Sequence, residues 1–366
     1  MELPKGYKSS NPSLVCKLNK SLCGLKQASR HDYSLFTIGS GNSLVILLVY
    51  VDDIILSGPN IASVQAIQTK LQSLFQLKIL GSLKYFPGLE IAKSSKGISL
   101  SQRKYALSLL EDTGFLACKP SNLPMDPNLK LNLLDGDLLP DPSMYKRLIG
   151  RLLYLTISRP DITFAVNRLS QFMKAPRVPH LHVVHHLLQY IKSAPGQGLF
   201  FPAQNSLNLT AFADADWASC VDTRRSTSDF CVFLGNNLLS WHSKKQPTIS
   251  KSSTEAEYRV LSSVTSEIVW LSKLLLHFEV DVPSVMLFCD NKSAISLASN
   301  PAHHERSKHI DIDHHFIREY VQSKVVKLVH VKSQHQVADV FTKALPSPIF
   351  GKFIAKLGMI NIYSPT

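Results

Sequence analysis

No Cys-x-x-Cys pair occurs in this chain; its six cysteines, Cys16, Cys23, Cys118, Cys220, Cys231 and Cys289, are scattered, and several sit inside apolar runs. That spacing argues against a zinc ribbon and for buried free thiols in a reducing compartment. There is no secretory signal, and the apolar runs are short. The longest, Ser43 to Val51, is about half the length of a membrane span and ends in two aspartates. The expected location is therefore intracellular, in cytoplasm or nucleus, with no membrane partner and no secretion. Acidic residues are scarce, 27 against 40 Lys plus Arg, which leaves a net charge of +13. Such an excess suits a polyanionic partner, nucleic acid first. Nothing in the composition fixes an oligomeric state. With 366 residues, 45% of them hydrophobic, the chain is globular and long enough for two or three cores.

Periodicity then divides the chain. Leu44 to Leu56 is a β run interrupted by Tyr50-Val-Asp-Asp53. Apolar residues at 61, 64, 67, 71 and 74 predict a helix. Strands follow over 83–92 and 97–101, then a helix over 104–112 that Gly114 stops. Asp112-Thr-Gly114 has the wording of an aspartic protease signature, but the end of a helix is the wrong setting for it. Residues 120–143, rich in proline, aspartate and asparagine, read as a surface linker. Helical patterns over 145–158, 161–173 and 180–192 come next, separated by prolines. From Leu207 the order is three strands (207–213, 229–234, 238–242), a long helix (254–278), a strand (285–289), two helices, a strand (325–331) and a short helix. That order implies a mixed sheet covered by helices, in a chain that is α/β and α+β overall.

Four acids stand in this last part. Asp214 and Asp290 each follow an apolar strand, where neighbouring parallel strands deliver side chains to one rim. Glu257 lies four residues before Leu261 and so joins the buried stripe Leu261, Val264, Ile268, Leu271, Leu275. Glu255 falls off that stripe and suits the helix N-terminus instead. Asp339 opens the final short helix, and Asp216 is secondary. Carboxylates gathered from such places can hold two divalent ions, the equipment of a nuclease that cuts phosphodiesters by in-line attack of water.

The residues also match a family. Ala213-Asp-Ala-Asp-Trp-Ala218, Ser253-Thr-Glu-Ala-Glu-Tyr258, Cys289-Asp-Asn-Lys-Ser-Ala294 and Ala338-Asp-Val-Phe-Thr-Lys-Ala344 carry the likeness, with shorter stretches between them. In them, residues 207–345 resemble the ribonuclease H domain of copia-type long-terminal-repeat retrotransposon polyproteins. The resemblance implies that Asp214, Glu257, Asp290 and Asp339 are the catalytic, metal-binding acids. It also implies two Mg2+ ions, with Mn2+ as a substitute, and the RNA strand of an RNA–DNA hybrid as substrate. Basic pairs Arg224-Arg225 and Lys244-Lys245, and the residues Arg306, Lys308 and His309, are candidate phosphate contacts, with a merely solvated surface as the alternative. Trp217, Trp241 and Trp270 read as core. His330 and His335 precede the last acid, and their role stays open.

Upstream, Tyr50-Val-Asp-Asp53 with Lys20-Ser-Leu-Cys-Gly-Leu-Lys-Gln27 and Tyr85-Phe-Pro-Gly-Leu-Glu90 resembles the reverse transcriptase of the same polyproteins. By that likeness Asp52 and Asp53 are metal-site acids, and Gln27 and Tyr50 meet nucleic acid. The expected organisation is a truncated, plant-type copy. A partial palm spans 1–125, with fingers missing and an internal deletion near 30–32. A helical connection follows over 126–205, then a ribonuclease H-like mixed five-stranded sheet with flanking helices over 206–345, then a tail over 346–366. A third polymerase aspartate is missing from this sequence, Cys23 stands for a usual tyrosine and Pro87 for a usual leucine, so polymerase loss is expected. Asp229, in place of a usual glycine, is expected to strain a turn if φ is positive there. Two readings stay beside the ribonuclease. One is an inert transposon relic that at most binds nucleic acid. The other is an integrase-type strand-transfer domain, against which the Glu257 helix and the fourth acid both argue.

Overall fold

The computed structural model describes residues 35–51, 53–299 and 311–363, without the side chains of 311–314. The chain forms two compact units, Met1–Gly81 with Lys273–Val280, and Ser82–Ser272 with Asp281–Thr366.

In the first unit β1 (Leu35–Ile38), β2 (Val45–Tyr50) and β3 (Asp53–Ser57) form a three-stranded antiparallel sheet in that order. Tyr50 pairs with Asp53 at the end of the β2–β3 hairpin. A tight hairpin turn needs left-handed backbone, and Val51 supplies it at φ 51°, a strained setting for a β-branched residue. Helix α1 (Ile61–Leu74) is capped by Asn60, whose side chain accepts from the Ala62 amide at 2.9 Å, yet it buries none of its residues.

The second unit begins with β4 (Tyr85–Phe86), β5 (Leu89–Ser94), β6 (Gly97–Ser101) and α2 (Arg103–Asp112). Gly114 takes φ 74° after α2, the helix stop that its sequence position predicts. Helices α3 (Pro142–Leu155), α4 (Thr163–Ser170) and α5 (Val178–Ser193) follow, then β7 (Gln197–Pro202). Their apolar faces meet in one cluster that includes Leu109, Ile149, Leu152, Val166, Leu187 and Ile191. Inside it Arg159 and Asp161 pair at 2.7 Å, Tyr190 donates to Asp161 at 2.7 Å, and Arg159 donates to the Ala194 carbonyl at 3.0 Å. Every charge in that buried network has a partner, which is what makes such burial tolerable.

Two expectations differ from what is found. Residues 120–143 are irregular but not a free surface linker: Met125 and Leu131 are buried in the cluster and Leu138 bridges Arg177. Isolated apolar anchors carry no periodicity, so the composition alone read as loop. Residues beyond 345, read as a tail, form a last helix and strand described below.

The other sheet carries the acids. Its strands are β8 (Leu209–Asp216), β9 (Thr227–Leu234), β10 (Asn237–Lys245), β11 (Val285–Cys289) and β12 (Val326–His330). Their order is β10-β9-β8-β11-β12, with β11 parallel to both neighbours and the remaining pairs antiparallel. This is the mixed five-stranded sheet expected from the sequence. Helices α6 (Ser253–His277), α7 (Lys292–Ser299), α8 (Asp311–Gln322), α9 (Asp339–Thr342) and α10 (Ser347–Lys356) accompany it, and β13 (Met359–Asn361) ends the described chain. The third sheet, β13-β7-β6-β5-β4, ties β13 to strands far upstream. Phe350, Phe353, Leu357 and Met359 enter the same core cluster. Among the described residues no helix is long and apolar enough to cross a membrane.

Candidate metal centre and nucleic-acid interface

Register places the first two acids. Phe212 on β8 pairs with Phe288 on the parallel β11. Two residues further along each strand come Asp214 and Asp290, so both arrive at the same end of the sheet. Glu257 comes from the first turns of α6, whose Leu261, Val264 and Ile268 are fully buried. Its carboxyl accepts from the Ala215 amide at 3.1 Å and from the Cys289 thiol at 3.8 Å. Glu255 turns away as the sequence phase requires: it accepts from the Lys251 amide at 2.8 Å and pairs with Arg259 at 2.8 Å.

Asp339 is delivered by the single turn α9. That turn is held by Gln336, which donates to the Ala213 carbonyl at 2.8 Å, and by Ser243, which donates to the Phe341 carbonyl at 2.8 Å. Thr342 donates to Asp214 Oδ2 at 2.7 Å, and Lys343 Nζ lies 2.9 Å from Asp339 Oδ1. Asp290 accepts from Ser333 at 2.7 Å. Thus Asp214, Glu257, Asp290 and Asp339, scattered in sequence, meet at one rim. Asp214, Glu257 and Asp339 are buried there and Asp290 is partly so.

The electrostatics follow from that crowding. Burial, then the Asp214 and Asp290 carboxyls, push Glu257 up to about 9. Burial, then Asp214, push Asp339 up to about 7, with Lys343 opposing. Burial pushes the Cys289 thiol up, so it stays protonated as a donor to Glu257. Ligand atoms of Glu257, Cys289 and Asp290 lie within 4.8 Å of one another. A set of acids that repel one another and offer mainly hard oxygen donors fits a divalent cation such as Mg2+ or Mn2+.

Two further acids line the rim. Asp216 is raised by burial, with Lys343 opposing and Asp214 adding. Asp229 corrects the expectation of a strained turn. It sits within β9 directly across from Asp214, is fully buried, and is not among the described residues with positive φ. One oxygen accepts from the Lys244 amide at 3.1 Å and the other has no hydrogen-bond partner. Burial pushes its carboxyl well up; Ser243 opposes and Asp214 adds. Register reveals this placement: Asp229, Cys231 and Phe233 pair with Asp214, Phe212 and Thr210.

The basic pairs reach the same end of the sheet. Asp216 pairs with Thr227, and Thr227 with Lys245, so Arg224, Arg225, Lys244 and Lys245 stand just past the acids. Arg224 and Lys244 are exposed, while Arg225 and Lys245 are half-buried, Lys245 donating to the Cys220 thiol at 3.7 Å. Trp217 corrects the core reading: it is 47% exposed, its indole anchored to the Ser250 carbonyl at 3.0 Å. His330 ends β12 opposite Cys289, and His335 closes the turn whose Ser333 touches Asp290. Tyr50 and Asp53 lie on the β2–β3 hairpin of the first unit, both exposed. Gln27, Asp52, Arg306, Lys308 and His309 lie outside the described residues.

Comparison with known proteins adds sequence relatives. A family model described as reverse transcriptase (RNA-dependent DNA polymerase) matches residues 29–127. The retrovirus-related Pol polyprotein from transposon RE1 of Arabidopsis thaliana is 41% identical over 384 residues, 99% of this chain and 26% of that protein. The uncharacterized mitochondrial protein AtMg00810 of the same plant is 44% identical over 227 residues, 62% of this chain and 94% of that protein. The chain thus spans about a quarter of the length of the Pol relatives it matches first. Among solved structures, the N-terminal RNase H domain of rv2228c from Mycobacterium tuberculosis, fused to maltose binding protein, covers 41% of this chain and 98% of its own at 13% identity and a TM-score of 0.28. At that score the likeness carries no argument, and the strand order stands by itself.

Proposed function

This chain belongs to the copia-type retrotransposon Pol polyproteins, and we propose that its residues 206–345 are a ribonuclease H that cleaves the RNA strand of RNA–DNA hybrids. The observation that supports it is the convergence of Asp214, Glu257, Asp290 and Asp339 from four separate segments at one rim of a mixed sheet. Two Mg2+ ions held by these acids, or Mn2+ in their place, would activate water for in-line attack and offset charge on the leaving oxygen. The chain's own residues do the rest. Ala215 and Cys289 hold Glu257, Thr342 holds Asp214, and Ser333 holds Asp290. Fixed donors of this kind keep the acids in place without reorganisation during the reaction. Arg224, Arg225, Lys244 and Lys245 supply phosphate contacts beside the acids, and the exposed face of Trp217 offers a surface for sugar or base. Choice of RNA over DNA comes from contacts to 2′-hydroxyls.

The test is cleavage of a hybrid carrying a labelled RNA strand. Magnesium-dependent cutting of the RNA, abolished in Asp290→Asn, is expected. A folded wild-type chain that leaves the hybrid intact refutes the ribonuclease and leaves the inert, nucleic-acid-binding relic.

On the same reading residues 1–125 are part of a reverse transcriptase. Within this sequence only Asp52 and Asp53 match polymerase metal acids, and the Tyr50–Asp53 hairpin carries a strained Val51. Primer extension by this chain alone is expected to be absent; templated synthesis in that assay refutes the point.

A further inference from the structure

We infer that Lys343 is a positioning residue of this centre: its ammonium holds the Asp339 carboxylate in the metal-free protein, yields that oxygen to the divalent ion, and is then free to meet the substrate's phosphate backbone. The inference rests on the ribonuclease H reading.

Lys343 follows α9 directly, four residues after Asp339, so both side chains share one face of the turn. Its Nζ lies 2.9 Å from Asp339 Oδ1, and its amide donates to the Asp339 carbonyl at 3.2 Å. An i,i+4 pair between two exposed groups would be ordinary. Here the two ends differ: the Asp339 side chain is 11% exposed and that of Lys343 45%. The acid is fixed inside the rim, and the amine reaches in from its mouth. It also feels the Asp214 and Asp216 carboxyls, so one ammonium faces three acids. Of the ion pairs seen among the described residues, the one to a rim acid is that of Lys343 with Asp339. Asp339 Oδ1 makes no hydrogen bond elsewhere, so the oxygen that the lysine holds is one that a bound ion needs. A half-exposed, four-carbon stem can swing outward at little desolvation cost.

Two opposing consequences follow, and a merely structural ion pair has neither. Removing the amine removes a competitor for Asp339, so divalent ions bind more tightly. It also removes one phosphate contact, so hybrid binding weakens and its salt dependence flattens. Mn2+ uptake by the full chain near neutral pH, read from the electron paramagnetic resonance of free Mn2+, measures the first. We expect Lys343→Gln to bind Mn2+ roughly three- to tenfold more tightly than wild type, and Lys343→Arg, which keeps the cation, to bind as wild type does. The slope of log affinity for a non-cleavable hybrid against log salt should fall by about one in Lys343→Gln. Lys343 itself is half-exposed, so both variants fold, which circular dichroism checks. Unchanged or weaker Mn2+ binding by Lys343→Gln, with wild type binding normally, overturns this inference and leaves the ribonuclease intact. A wild type that takes up Mn2+ no better than Asp290→Asn overturns the ribonuclease reading, and this one with it.

Discussion

Glu257 is held where its charge costs most. Burial and two neighbouring carboxyls raise it from 4.5 to about 9, so the folded chain binds that proton more tightly than the unfolded chain does. The group's contribution to stability is therefore complete below about pH 4.5 and is lost as pH climbs toward 9. Glu257→Gln should raise the metal-free protein's stability by about 1–3 kcal/mol at pH 8 in urea unfolding, the scale of relieving one buried uncompensated group. At pH 5 the two proteins should match, and the variant should take up no divalent ion. Equal stabilities at both pH values would show that the carboxyl is not charged at a cost. This residue was legible in the sequence because helical phase separated it from Glu255. Asp229 was not, because a polar residue inside an apolar strand reads as a turn until the register is known. Trp217 was misread for a related reason: apolar character predicts burial only on average, and a position just past a strand end is open to solvent.

At the scale of elements the centre depends on a single helical turn. α9 spans Asp339–Thr342, far too short to persist alone, and is kept in place by the hydrogen bonds from Gln336 and Ser243. Its last residue then holds the acid of a different strand. Thr342→Val keeps the shape but strips Asp214 Oδ2 of its donor. Hybrid cleavage should fall about tenfold and stability by about 1–2 kcal/mol, in steady-state kinetics and thermal unfolding respectively. A variant with unaltered cleavage would show that Asp214 needs no such restraint. The motif around Asp339 was visible in the sequence, but the contact from Thr342 to Asp214 was not. It arises from packing between residues that no local period connects. The strands and helices from 207 onward, by contrast, alternate cleanly enough to be placed within a few residues of where they lie.

For the molecule as a whole, stability is unevenly distributed. α3 and α5 bury Ile149, Leu152, Leu187 and Leu188 completely, whereas α1 buries nothing and leaves Ile61 and Leu74 exposed. Amides of α1 should exchange with solvent hydrogen far faster than those of α3 and α5, as native-state exchange read by mass spectrometry would report. Comparable protection in the three helices would refute that ranking. The long-range sheets show what no single-sequence reading could reach: β7 alone pairs with β6 on one side and β13 on the other. That arrangement bears on how the protein is made. A ribosome releases β13 long after its upstream partners have emerged. Until then β7 keeps an open edge and the cluster lacks Phe350, Phe353 and Leu357. The nascent chain therefore waits, partly uncovered, and completes this core only once β13 has emerged.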